Sequence, residues 1–144
     1  MSDSSTAPPR SYWVISGLAL LWNLVGVLAY VSQVTMSPEA LQQLPDVQRA
    51  LIEDTPAWAI SAFAIATTAG VVGCVLLIIR NAWAVPMFLI SLAAVLVQMY
   101  HAFVIANAVQ LLGPTAALQP ALVIAISCGL IWYSRYAKEK GWFR

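Results

Sequence analysis

Charge is scarce in this 144-residue chain: Asp, Glu, Lys and Arg make up 9% of it, against 61% hydrophobic residues. A water-soluble domain carries about 25% charged residues, so this composition cannot cover an ordinary hydrated surface. The net charge of +1 supplies no basic field and excludes nucleic acid as a partner. One His and two Cys are too few and too scattered to hold a metal ion. The chain has no Gly-rich phosphate loop, no serine nucleophile elbow and no H-x-x-x-H pair, so the usual signatures of nucleotide, acyl-transfer and zinc chemistry are missing. The expectation is a protein that is not an enzyme and carries no cofactor.

What the chain does have is four long apolar stretches, about 12–36, 56–79, 84–107 and 116–136, none of which contains a carboxylate. A bilayer core of about 30 Å needs about 20 apolar residues to cross as a helix, and a helix satisfies its own backbone polar groups there. The predicted fold class is all-α: a polytopic four-helix transmembrane bundle over 12–136. A disordered tail over 1–11 precedes it and a basic tail over 137–144 follows.

Orientation follows from the basic residues. Arg10, Arg80, Arg135, Lys138, Lys140 and Arg144 fall on one side of the bundle, and only Arg49 on the other. The positive-inside rule then puts both termini in the cytoplasm, and the predicted location is a bacterial inner membrane. The connection 37–55 carries Glu39, Asp46, Glu53 and Asp54 and faces outward. Ser37-Pro38-Glu39 starts a short helix there, and Leu44-Pro45-Asp46 breaks it. Leu41, Leu44 and Leu51 give it an amphipathic character suited to the membrane surface. Thr55-Pro56 reads as a capped start for the second span.

Two spans carry a polar seam. Ser16, Ala19, Asn23, Gly26, Tyr30 and Gln33 alternate by three and four residues along the first, as do Ser91, Ala94, Gln98, His101, Ile105 and Ala108 along the third. That spacing gathers each set on one helix face. The second span carries small residues instead: Ala62, Ala66, Gly70 and Cys74 fall four apart with Gly73 beside them, the pattern that lets helices approach closely. Cys74 and Cys128 read as packing residues.

Asn23, Tyr30, Gln98 and His101 are the candidate ligand-binding residues, because an amide or imidazole in hydrocarbon must find a partner. Two readings stand side by side. The groups either bond helix to helix, or they line a small pocket for a neutral solute or a lipid headgroup. His101 is the only side chain in the spans that titrates near neutrality, and no span supplies a carboxylate to complete a proton relay.

Certain motifs point further: Leu21-Trp22-Asn23-Leu24 with Gly26, Val34-Thr35-Met36-Ser37-Pro38-Glu39-Ala40-Leu41, Pro56-Ala57-Trp58, Gly70-Val71-Val72-Gly73-Cys74, Leu96-Val97-Gln98-Met99 and the closing Gly141-Trp142. Over nearly its whole length the chain resembles a family of small bacterial four-span membrane proteins labelled sugar transporters. The resemblance implies the four-span fold and a sugar-like neutral solute, with Trp22, Asn23, Tyr30, Gln98, Tyr100 and Asn107 as possible contributors to its site. The functional expectation is a transporter or transporter-like subunit that forms homo-oligomers. The alternative is a non-transporting accessory or scaffold protein that binds a partner membrane protein or membrane lipid.

Overall fold

A computed structural model describes residues 6–144; residues 1–5 of the expected tail lie outside it. The elements are helices α1 (Arg10–Val34), α2 (Pro38–Gln42), α3 (Asp46–Glu53), α4 (Ala57–Ile78), α5 (Ala84–Tyr100), α6 (Ala108–Leu112) and α7 (Leu118–Glu139). A π-helical turn, His101–Ile105, extends α5, and a 3₁₀ turn, Pro114–Ala117, leads into α7. No strand occurs among the described residues. Four stretches are long and apolar enough to cross a bilayer: Arg10–Val34, Ala57–Ile78, Ala84–Ile105 and Pro114–Glu139. The protein is therefore an all-α, multi-pass membrane protein.

The long helices alternate in direction. Tyr12, early in α1, donates its hydroxyl proton to the Leu77 carbonyl at the end of α4. Near the other end, Tyr30 meets Phe63 edge-on at 5.5 Å. Helix α4 is the centre of the bundle, packing on α5 and α1, while α7 leans on α5. Leu18, Leu21 and Leu28 of α1 are exposed, as an apolar face turned to lipid should be.

The connection between α1 and α4 holds two short helices. The Ser37 hydroxyl accepts from the Ala40 amide at 3.2 Å and caps α2, while Arg49 pairs with Asp46 within α3. Thr55 departs from its expected capping role. Its hydroxyl donates back to the Leu51 carbonyl at 2.7 Å, serving the unpaired carbonyls at the end of α3, and Pro56 stands at the start of α4 with no side-chain cap.

The end of the bundle where α1 begins and α7 finishes is tied together by one interlock. Helices α4 and α7 finish in the same way. Asn81 N–H bonds the Leu76 carbonyl and Arg80 N–H the Leu77 carbonyl, just as Trp142 and Gly141 bond Ala137 and Lys138. This double bond pattern needs one left-handed residue, usually Gly; Gly141 takes it at φ 70° and Arg80 at φ 63°. A left-handed non-Gly residue costs about 1–2 kcal/mol, and Arg80 offsets it through its side chain. Its Nε donates to the Trp142 carbonyl at 2.5 Å and a terminal nitrogen to the Thr6 carbonyl at 3.2 Å. Arg144 N–H returns to the Arg80 carbonyl at 2.8 Å, and the Thr6 hydroxyl donates to the Lys140 carbonyl at 2.7 Å. Tyr12 and Tyr136 each meet the Trp142 ring edge-on beneath this knot.

Arg80→Ala keeps the backbone strain and loses the tethers. It is expected to cost about 2–3 kcal/mol, given the strength of bonds from a charged donor. Arg80→Gly loses the tethers too but removes the strain, so it should be about 1 kcal/mol less damaging. Thermal unfolding of both variants in detergent checks the order.

Candidate functional site

The small-residue face of α4 determines how closely its neighbours approach. Ala62, Ala66, Gly70, Gly73 and Cys74 are all buried. A Cβ on Gly70 would lie 2.0 Å from Asn23 Oδ1, and one on Gly73 would lie 2.7 Å from the Phe88 ring. One notch thus receives an amide from α1 and the other receives a ring from α5.

Above these notches lies a cavity of about 390 Å³ walled by α1, α4, α5 and α7. That size, with mostly apolar walls and a few polar groups, matches small-molecule sites generally. Asn23, Gly26 and Gln33 face it from α1, Ser91 and Gln98 from α5, and Thr67 from α4. The fourth wall is α7, through Gln119, Val123, Ser127 and Leu130. Among the described residues no charged side chain lines it.

The structure therefore brings Asn23 and Gln98 to one space and sends the other two candidates elsewhere. Tyr30 packs on the Phe63 ring outside the cavity wall. His101 is buried edge-on against Trp58 at 5.4 Å. It lines a second hollow of about 480 Å³ beneath α3, together with Asp46 and Asp54. Neither carboxylate forms an ion pair with it, and no cluster able to hold a metal ion occurs among the described residues. Tyr100 and Asn107 are exposed and line neither space. The two cysteines stay apart in character: Cys74 is buried and Cys128 exposed.

Sequence reasoning passed over Gln119 and Ser127, and over Gln33 as a binding residue. A signal was available in α7, where Gln119, Val123 and Ser127 fall four apart on one helix face.

The polar groups of the wall divide by what they already bond. Asn23 donates its amide hydrogens to the Ala19 carbonyl at 2.9 Å and Cys74 Sγ at 3.3 Å. Ser91 donates to the Ala66 carbonyl at 2.7 Å, joining α5 to α4. Thr67 bonds the Phe63 carbonyl at 3.0 Å and Ser127 the Val123 carbonyl at 2.8 Å. Gln33, Gln98 and Gln119 make no side-chain hydrogen bond among the described residues. All three stand toward the end opposite the termini, late in α1, late in α5 and early in α7. Such a site can bind an uncharged molecule by hydrogen bonds and apolar contact, and it offers no group suited to exchanging protons.

No family model, curated protein or solved structure matches this chain.

Proposed function

We propose that this is a bacterial inner-membrane protein with cytoplasmic termini that binds an uncharged solute within its four-helix bundle and carries it across the bilayer. The observation that carries the reading is the cavity itself. It is free of charge, has uncommitted amides at one end of the bundle, and stops short of the interlock at the other. A charged solute would meet no opposite charge there, and burying an unpaired ion is costly. The likeness to proteins labelled sugar transporters points the same way, to a neutral cargo. Helices α1 and α7 are the least enclosed of the four, which leaves their outer faces open to lipid or to a second copy of the chain.

Reconstitution into vesicles tests the reading with glucose, glycerol and a medium-chain monoacylglycerol as uncharged probes. At least one is expected to cross faster than through empty vesicles, and Ala29→Phe, which places a ring inside the cavity wall, should remove that excess. Equal movement in both vesicle types for every probe would end the carrier reading. Asn23→Leu is informative beside it: loss of its two hydrogen bonds should lower stability by about 0.6–2 kcal/mol, read by thermal unfolding.

A further inference from the structure

Resting on that reading of the cavity, we infer that its ligand is an uncharged single-chain amphiphile, with the polar head at Gln33, Gln98 and Gln119 and the chain reaching toward Phe88 and Leu130. The observation is the separation of free from committed hydrogen-bonding groups. The amide and hydroxyl side chains of the deeper half already donate within the protein: Asn23 to Ala19 and Cys74, Ser91 to Ala66, and Ser127 to Val123. The Asn23 Oδ1 atom is pressed over Gly70. Among the amides and hydroxyls of the wall, only the three glutamines, each with two donors and an acceptor oxygen, are left free for a ligand.

Ten residues of α1 separate Gln33 from Asn23, about 15 Å at the helical rise. A volume of 390 Å³ drawn out over that length is a slot rather than a chamber. A compact polyol deep in the slot would lose its hydration against Phe88, Val95, Ile126 and Leu130 and gain no more than the Trp22 indole N–H in return, which is unfavourable. A hydrocarbon chain suits those walls, and a hydroxylated or amide head suits the glutamines. The missing charge excludes phosphate and carboxylate heads.

The test uses the full-length protein in phosphatidylcholine nanodiscs, because alkyl-glycoside detergents belong to the proposed ligand class. Tritiated medium-chain monoacylglycerol should bind saturably above empty nanodiscs. Gln98→Leu and Gln119→Leu should each weaken it about tenfold, and Ala29→Phe should abolish it. Gln119 is exposed and bonds no side chain, so its variant keeps the fold and the readout stays clear. Fatty acid and lysophosphatidic acid of the same chain length should compete at least about tenfold less well, and glucose not at all. Absence of saturable binding, equal competition by the anionic chains, displacement by glucose, or full binding by both glutamine variants would each overturn the inference. Failure of the carrier reading looks different. Binding without transbilayer movement ends transport and leaves the ligand class standing, whereas glucose flux without monoacylglycerol binding does the reverse.

Discussion

Phe88→Ala is expected to be the most damaging single truncation in the protein, costing about 3 kcal/mol. Phe88 is 2% exposed, joins the buried cluster of Tyr12, Cys74, Leu77 and Leu130, and forms part of the cavity wall at its deep end. Removing a buried Phe ring from a soluble core costs about 3–5 kcal/mol. The low end applies here because an unfolded span stays in lipid, so little transfer energy is lost. What remains is the contact energy of the ring and the hole it leaves. Steric trapping in bicelles can measure the loss. A change below about 1 kcal/mol would show that the ring does not wedge α5 against α4.

The converse change, Gly73→Ala, is expected to cost about 1–3 kcal/mol by overpacking. The added methyl would meet three atoms of the same ring at 2.7, 2.8 and 3.2 Å, and the ring can yield only by shifting as a rigid body toward the cavity it walls. Gly70→Ala presents a closer contact, 2.0 Å to Asn23 Oδ1, yet should be the milder variant. The obstructing atom is the far end of an amide that can rotate, at the cost of its bonds to Ala19 and Cys74. Distance alone would rank the two glycines the other way; the mobility of the obstacle decides. Combining Gly73→Ala with Phe88→Leu should cost less than the two separate effects together, and a double-mutant cycle gives the coupling. Strict additivity would show that ring and glycine do not share one space.

Much of this architecture is legible before any coordinates. Span length against bilayer thickness delivers the four long helices, and Ser37-Pro38 with Leu44-Pro45 marks where the intervening short helices begin and break. The π-helical turn at His101–Ile105 is not legible, because Ala102-Phe103-Val104 would propagate an ordinary α-helix equally well. The seams on the first and third spans were readable as stripes, but a stripe is wider than a cavity wall. Asn23 and Gln98 face the common space, whereas Tyr30 packs on Phe63 and His101 on Trp58. Helix contacts are also more indirect than the seams suggest. α4 stands between α1 and α5, and its Gly70 lets Asn23 and Ser91 converge across it. The contribution of α7 escaped notice because a Gln and a Ser eight residues apart look sparse in a linear reading.

The knot around Arg80 also has a consequence for biogenesis. A nascent chain enters the bilayer in order, so Arg80 is in place before residues 140–144 have left the ribosome. The first three spans can therefore assemble around α4 only with the Arg80 guanidinium bonded to water or lipid. Arrival of the fourth span supplies the Trp142 carbonyl and the Arg144 amide together. These bonds are withheld from any chain whose fourth span fails to insert.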